Sequence, residues 1–320
     1  MKTKYIFFIL VAILPLNIQA QKSMIAPPYL QKGDTIALVA TARKNIDDNL
    51  QPAIEWLQNW GLKVVIGTTI GLDNNQLAGT DQQRAADFQA QLDNPNIKAI
   101  WCVRGGYGTV RIIDKLDFTK FKQHPKWVIG FSDVTVLHSH LTTLGYQSIH
   151  GIMPISSKAS EQAKETLRKA LFGSPLSYTI PCDSMNRFGK AKGILVGGNL
   201  SILYSLLGSP SAIDCTDKIL FIEDLDEYLY HIDRMLINLK RNGCLESLKG
   251  IVVGGMTKMK DNEIPWGKNA LEIIDDVTKN LNIPVIYNFP AGHLADNRAL
   301  IIGRQASLEA NDVESILVFE

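Results

Sequence analysis

Trp127-Val128-Ile129-Gly130-Phe131-Ser132-Asp133-Val134-Thr135 is the stretch in which an apolar strand gives way to a helix at a single hydroxyl group. Val128, Ile129 and Phe131 predict a short buried strand, because the run is apolar and is interrupted only by a glycine. Apolar residues at helical spacing resume after Asp133. Such a junction between strand and helix is the repeating unit of a parallel α/β sheet, so this stretch sets the expectation for the fold.

Ser132 has two interpretations. A Ser-Asp pair before a helix is most often a capping signal, in which a side chain satisfies free N–H groups of the first turn. Alternatively, Ser132 is a nucleophile on a sharp strand-to-helix turn, and the N–H of Asp133 points into an oxyanion hole. The local sequence is not G-x-S-x-G, because Asp133 and Val134 follow the serine. The second interpretation therefore requires a base and an orienting acid elsewhere in the chain.

The composition is that of an ordinary globular protein. The chain has 320 residues, of which 46% are hydrophobic. A chain of this length is expected to form about two domains. The 33 basic residues nearly balance the 32 acidic ones, so the charge indicates neither a nucleic-acid partner nor a polybasic membrane surface. No CxxC or HExxH spacing is present, and the sequence therefore predicts no metal and no cofactor.

Residues 1–20 have the pattern of a secretory signal peptide. Lys2 and Lys4 precede an apolar run over residues 5–16, and Ala20 offers a cleavage site. The run is too short for an ordinary membrane-spanning helix, and no cysteine near Ala20 offers a lipid anchor. We expect an exported, periplasmic protein without stable membrane insertion after cleavage. An uncleaved membrane anchor is the alternative.

The remaining chain divides into two patterns. Strand-like runs alternate with helical patterns, the strands over 35–40, 63–66 and 99–103 and the helices over 47–60 and 81–92. This alternation predicts a parallel, doubly wound sheet in an N-terminal domain of residues 21–155, with ligands beyond the carboxyl ends of the strands. Residues 156–192, a polar helix followed by glycine and prolines, predict a connection between domains. The shorter apolar runs of residues 193–320 predict a smaller β-rich C-terminal domain of mixed α/β or barrel-like form.

The cysteines are sparse for a disulfide scaffold, although they could pair in an oxidising compartment. The chain has four: Cys102, Cys182, Cys215 and Cys244. Cys102 lies within an apolar run, which predicts a buried thiol.

One histidine stands out among six as a base. His293 lies in a polar loop after a strand, where no periodicity explains a core imidazole. His138 and His140 are two residues apart on a predicted helix, so they face different directions and make a poor metal pair. His231 suits the surface or end of a helix, while the remaining two, His124 and His150, have no motif around them.

Two acids follow the apolar run of residues 219–222, and either could orient the imidazole. Asp224 suits the N-terminus of the next helix, where a negative charge favours the helix dipole. Glu223 lies closer to the strand and is the better orienting acid.

The turn Arg104-Gly105-Gly106-Tyr107-Gly108 follows a predicted strand. Its N–H groups could cradle an anion, but it lacks the Walker lysine and the full GxGxxG spacing. A tight turn that lets the backbone approach a substrate explains it with fewer assumptions.

Taken together, these segments resemble the murein LD-carboxypeptidase family of serine peptidases, which includes the microcin C immunity proteins. The resemblance rests on five motifs in the family's order: Arg104-Gly105-Gly106-Tyr107-Gly108, Gly130-Phe131-Ser132-Asp133, Gly197-Gly198-Asn199-Leu200, Glu223-Asp224 with Tyr230-His231-Ile232-Asp233-Arg234, and Gly292-His293 followed by Asn297. It implies a triad of Ser132, Glu223 and His293, an oxyanion hole from the N–H groups of Gly106 and Asp133, and a homodimer. The fold it implies has a Rossmann-like N-terminal domain, a smaller β-rich C-terminal domain and a cleft between them.

The implied reaction is hydrolysis of the LD-amide bond before the terminal D-alanine of a peptidoglycan tetrapeptide. Arg104, or a backbone nest at Gly105, is the candidate partner for the substrate carboxylate. Two alternatives stay open: a related hydrolase acting on a peptidyl-nucleotide antibiotic, and a muropeptide-binding protein without activity. The signal peptide departs from the best-known relatives, which act in the cytoplasm. The first strand also ends Val39-Ala40-Thr41-Ala42, where the family often has a proline.

Overall fold

The computed structural model describes residues 24–46, 49–156 and 158–320. The predicted signal peptide, residues 1–20, lies outside these ranges. Within them, no helix is long and apolar enough to cross a membrane.

The elements alternate along most of the chain. The strands are β1 (Thr35–Val39), β2 (Lys63–Ile66), β3 (Ile97–Cys102), β4 (Trp127–Gly130), β5 (Ser148–His150), β6 (Ser177–Pro181), β7 (Gly189–Asn199), β8 (Lys218–Leu225), β9 (Gly250–Thr257), β10 (Val285–Ile286), β11 (Leu300–Ile302), β12 (Gln305–Ala310) and β13 (Glu314–Phe319). The α-helices are α1 (Gln51–Asn59), α2 (Asp81–Asp93), α3 (Thr119–Gln123), α4 (Thr135–Thr143), α5 (Glu161–Phe172), α6 (Leu200–Ser205), α7 (Leu229–Arg241) and α8 (Ala270–Thr278).

The first sheet is the parallel sheet that the alternation predicts, and this confirms the α/β fold class. Its order is β11-β5-β4-β3-β1-β2, and the first five strands of the chain pair in parallel. Residues 36–39 of β1 are completely buried, as expected for a strand covered on both faces. In such a sheet the carboxyl ends of β3 and β4 lie side by side, so the glycine turn and Ser132 meet at one edge.

The second sheet is mixed and has the order β10-β9-β8-β7-β12-β13-β6. The strands from β7 to β10 are parallel, whereas β12, β13 and β6 are antiparallel. Arg187, between β6 and β7, exchanges two backbone hydrogen bonds of 3.0 Å with Val285 of β10. Arg187 lies in the segment that follows β6, which is at one end of the strand order, and β10 is at the other end. The contact therefore joins the two ends of the sheet and gives it a partly barrel-like form.

Three details differ from the sequence-based expectations. The predicted connection, residues 156–192, includes β6 and the start of β7, which belong to the second sheet. β11, from the C-terminal part of the chain, pairs antiparallel with β5 in the first sheet. Both pairings join distant segments, which local patterns cannot reveal. α1 begins at Gln51 and not near residue 47, with Pro52 in its first turn, where a proline is favoured.

The cysteines have separate environments. Cys215 and Cys244 form a disulfide across 29 residues. Cys102 is a fully buried free thiol, as predicted, and burial raises its pKa to about 12.

Candidate active site

Ser132 lies on a strained turn directly after β4. Its φ is +62°, a left-handed conformation that is uncommon for a residue other than glycine. It begins a single 3-10 turn, Ser132–Val134, that runs into α4. Strained backbone of this kind concentrates at functional sites, and a serine at such a strand-to-helix turn has the geometry of a nucleophile elbow.

The expected capping role of Ser132 or Asp133 is wrong. Neither the 3-10 turn nor α4 has a side-chain cap, because Ser132 is left-handed where a capping residue is extended. The Asp133 carboxylate instead accepts a hydrogen bond of 2.8 Å from the backbone N–H of Thr109, at the end of the glycine turn. Burial raises the pKa of Asp133, against the opposing hydrogen bond from Thr109 and the charge of Arg84. Asp133 therefore ties the glycine turn to the elbow.

Ser132, His293 and Glu223 form one chain of hydrogen bonds. His293 Nε2 lies 3.2 Å from Ser132 Oγ, and His293 Nδ1 lies 2.6 Å from Glu223 Oε2. The Glu223 side chain is completely buried, and that of His293 is 16% exposed. Ser132 follows the first sheet, Glu223 lies on β8 of the second, and His293 lies in the segment between β10 and β11. The structure thus brings the three predicted residues together in the order hydroxyl, imidazole, carboxylate.

The charge of Glu223 controls the His293 imidazole. Burial lowers the pKa of His293, but the negative charge and hydrogen bond of Glu223 outweigh it, so the pKa is raised above the ordinary 6.5. An imidazole held in this way can accept a proton from Ser132 and is stabilised when it becomes positive.

The loop that carries His293 is held by three neighbouring residues. Gly292 has a φ of +105°, and a Cβ there would lie 2.7 Å from Glu223 Oε2, so glycine lets the loop pack against the carboxylate. The buried Asn297 accepts a hydrogen bond of 2.8 Å from the Gly292 N–H. Phe131 packs edge-on against His293, with 4.9 Å between ring centroids. No sequence pattern had singled out Phe131 for this contact.

The glycine turn approaches the nucleophile as predicted. A Cβ on Gly105 would lie 2.9 Å from Ser132 Cβ and 3.4 Å from the Asp133 nitrogen, so only glycine fits there. Gly106 follows in the exposed part of the turn. Arg104 is partly buried and its guanidinium lies 3.4 Å from the carbonyl oxygen of Lys44. The backbone of Gly105 thus lies directly against Ser132.

Asp224 and Asn199 support the fold around the triad. Asp224 accepts hydrogen bonds from Asn199 Nδ2 at 2.9 Å and from the Ser201 N–H at 2.8 Å, so its partner is the start of α6 and not α7 as expected. Burial, followed by the charge of Glu223, raises its pKa to about 7. The Asn199 N–H donates to Thr135 Oγ1 at 3.0 Å, which joins the end of β7 to the start of α4.

The other histidines of the core have structural partners or apolar surroundings. His138 lies 2.9 Å from the Gly130 carbonyl oxygen and 2.8 Å from Ser148 Oγ, and burial lowers its pKa to about 4. His150 is fully buried and packs against Phe221, with 4.9 Å between ring centroids. His231, in the first turn of α7, pairs with Glu227 just before the helix, in agreement with the predicted role at a helix surface or end.

A cleft of about 690 Å³ opens beside His293. Its walls are mostly apolar, and its lining includes Phe131, Ile152, Ile155, Leu225, Lys158, Lys258, His293, Leu294 and Asn297. A pocket of this volume accommodates several amino-acid residues or a small organic ligand. The site therefore combines a nucleophile, a base, an orienting acid and room for a substrate.

The site contains a hydroxyl on a strained turn, a histidine and a buried carboxylate, which are joined in series by hydrogen bonds beside a cleft. This arrangement defines a serine hydrolase. Residues 36–151 match the family model described as the LD-carboxypeptidase N-terminal domain, and residues 192–308 match the LD-carboxypeptidase C-terminal domain. The chain belongs to the LD-carboxypeptidase family, which confirms the resemblance found in its motifs.

Individual relatives agree with this family. The chain is 34% identical over 310 residues to a Bacillus subtilis protein named "Probable murein peptide carboxypeptidase", covering 92% of this chain and 94% of the relative. The crystal structure of muramoyltetrapeptide carboxypeptidase from Oxalobacter formigenes superposes with a TM-score of 0.81 at 29% identity, covering 89% of this chain and 98% of that one. The microcin C7 self-immunity protein of Escherichia coli is 25% identical over 91% of this chain and 94% of its own length.

Proposed function

We propose that this protein is a serine carboxypeptidase that hydrolyses the LD-amide bond before the terminal D-alanine of peptidoglycan tetrapeptides. The hydrogen-bond chain from Ser132 through His293 to Glu223 carries this proposal, because it supplies nucleophile, base and orienting acid in series. The names of the Bacillus and Oxalobacter relatives support murein peptides as the substrate class.

In the proposed mechanism, His293 removes the proton of Ser132 as the hydroxyl oxygen attacks the amide carbon. Glu223 stabilises the resulting imidazolium, to which it is already hydrogen-bonded at 2.6 Å. The N–H groups of Gly106 and Asp133 stabilise the oxyanion, an effect worth about 2.7–4 kcal/mol per donor in well-studied enzymes. His293 then protonates the leaving amine, and water releases the acyl group from Ser132 by the reverse sequence.

The test follows the released amino acid. Purified protein is mixed with a disaccharide-free tetrapeptide, and D-alanine is measured by mass spectrometry. We expect release by the wild type and almost none by Ser132→Ala. Absence of D-alanine, or release undiminished in Ser132→Ala, would refute the proposed reaction.

A second candidate function is hydrolysis of a peptidyl-nucleotide antibiotic, which the similarity to the microcin self-immunity protein favours. It would use the same triad, so Ser132→Ala does not separate the two functions. A peptidyl-nucleotide substrate in the same assay does, since each candidate predicts faster turnover of its own substrate. Binding of the tetrapeptide without turnover of either substrate would indicate the third possibility, a muropeptide-binding protein.

We also propose that the protein is exported and acts in the periplasm as a homodimer. The disulfide between Cys215 and Cys244 supports export, because such bonds persist mainly in oxidising compartments. The mature N-terminus, expected at Gln21, and the compartment can be measured by mass spectrometry of cell fractions. Light scattering of the purified protein tests the dimer, for which the family resemblance is the only basis.

A further inference from the structure

The cleft beside His293 has positive side chains but no acidic ones. Among the described residues that line it, the ionisable groups are Lys158, Lys258 and His293. No carboxylate lies within ion-pairing distance of either lysine in the part of the chain that the structure describes. An apolar cleft with two unneutralised ammonium groups favours a ligand that brings its own negative charge.

The backbone holds Lys258 at the edge of this cleft. Lys258 follows β9 and has a φ of +52°, a conformation that costs a residue with a side chain about 1–2 kcal/mol. The preceding residue, Thr257, is tied to the catalytic loop, since its hydroxyl lies 3.5 Å from the His293 carbonyl oxygen. Its own carbonyl oxygen accepts a hydrogen bond of 3.0 Å from the backbone N–H of Asp226. Both contacts involve Thr257, so the residue before Lys258 is anchored to the segment that carries His293 and to the segment that follows Glu223.

The direction of the cleft indicates which part of a substrate reaches Lys258. Gly106, one of the two proposed oxyanion donors, lies on the glycine turn, and neither Gly105 nor Gly106 lines the cleft. His293, which passes a proton to the leaving amine, forms part of the cleft wall. The leaving residue therefore extends into the cleft, away from the glycine turn. In a carboxypeptidase that residue ends in a free carboxylate, separated from its amine by a single carbon.

We propose that Lys258, assisted by Lys158, binds the free α-carboxylate of the leaving residue and so restricts the enzyme to the C-terminal bond. This inference rests on the proposed function. Lys258 supplies a compact positive charge with three N–H donors on a flexible stem, which a terminal carboxylate can accept. Arg104, the partner suggested by the sequence, lies on the glycine turn and outside the cleft lining.

Two tetrapeptides test the proposal, identical except that one ends in a free carboxylate and the other in a C-terminal amide. For the wild type we expect a KM for the amide about 10-fold or more above that for the acid, since one charge-assisted hydrogen bond is lost. Lys258→Met should raise KM for the acid about 10-fold with little change in kcat, and should leave KM for the amide unchanged. Lys258→Arg should restore the preference in part.

A matched control lies two residues further along the same loop. Lys260 is also exposed but is paired with Asp226 at 3.0 Å and does not line the cleft, so Lys260→Met should leave both KM values near wild type. Lys158→Met should weaken the acid preference less than Lys258→Met does. Thermal unfolding of each variant shows whether it remains folded.

The outcomes are distinguishable. Equal cleavage of acid and amide by the wild type refutes the proposal, as does a Lys258→Met variant that raises both KM values equally, because the lysine then acts on another part of the substrate. Loss of preference in Lys260→Met would show a general charge effect and would also refute it. A wild type that releases nothing from either peptide refutes the proposed function itself.

Discussion

Replacing Gly292 by alanine should disconnect Glu223 from His293 without removing either side chain. The new Cβ would lie 2.7 Å from Glu223 Oε2 and 2.7 Å from Glu223 Cβ. Ordinary contact begins near 3.4 Å, so the carboxylate or the loop must retreat by about 0.7 Å. A retreat of that size stretches the 2.6 Å bond between Glu223 and His293 to the limit of a hydrogen bond.

Gly292→Ala is expected to lower both the stability of the protein and its kcat. A control substitution at a second glycine separates these two effects. Alanine at φ +105° costs about 1–2 kcal/mol of stability through its backbone alone, and overpacking adds about 1–3 kcal/mol. Gly33 has a similar φ of +95° but nothing within 4 Å of its Cβ position, so Gly33→Ala carries only the backbone cost. Loss of the orienting carboxylate should lower kcat of Gly292→Ala by about 100-fold to 10,000-fold.

The assay is D-alanine release with kcat and KM determined separately, together with thermal unfolding of both variants. We expect Gly33→Ala to keep wild-type kcat and Gly292→Ala to lose it while remaining folded at the assay temperature. If the two variants had the same kcat, the close packing of Gly292 against Glu223 would be irrelevant to catalysis, and the interpretation of this loop would be wrong.

Three further predictions concern the same framework. Glu223→Gln should lower kcat and move the acid limb of kcat/KM to lower pH, since His293 must be neutral to act as a base and its pKa falls when the opposing charge is removed; an unmoved limb in a pH-rate profile would contradict this. Asp133→Ala should lower kcat about 10-fold with a smaller effect on KM, because the glycine turn loses its tie to the elbow; steady-state kinetics will show whether kcat instead stays unchanged. Reduction of the bond between Cys215 and Cys244 should lower stability by about 2–4 kcal/mol and leave kcat unchanged, measured by denaturation and assay with and without reductant; equal stability in both would refute a stabilising role.

The parallel sheet was predictable because its signal is local. The strands β1 to β4 are mostly apolar runs that alternate with turns and helices, and few sheet topologies are compatible with such alternation. The antiparallel pairings were not predictable in this way. β11 pairs with β5 across 150 residues, from Leu300 to His150. β6 joins the second sheet through β13, near the end of the given sequence. Whether such segments pair depends on tertiary packing, which a short stretch of sequence does not reveal.

The three triad residues were predictable from their positions relative to apolar strands, whereas the contacts around them were not. Ser132 and His293 follow apolar strands and Glu223 lies near the end of one, where residues of an α/β fold reach a ligand. The partner of Asp133 could not be read from the sequence, because a Ser-Asp pair before a helix has the composition of a cap whichever conformation it adopts. The left-handed turn at Lys258 was likewise not predictable, because a lysine in a polar loop carries no sign of its backbone conformation.

The position of His293 explains why the two sheets can supply one site. Ser132 belongs to the first sheet and Glu223 to the second, so their separation depends on how the sheets pack. His293 lies between β10, in the second sheet, and β11, in the first, so the segment that crosses between the sheets is the one that carries the base. The hydrogen bond between Gly292 and Asn297 holds the crossing segment in place. The hydrogen bond between Asn199 and Thr135 joins the end of β7, in the second sheet, to the start of α4, which follows the first sheet. The 3.2 Å and 2.6 Å contacts therefore depend on this crossing segment, which holds the base between the nucleophile of one sheet and the acid of the other.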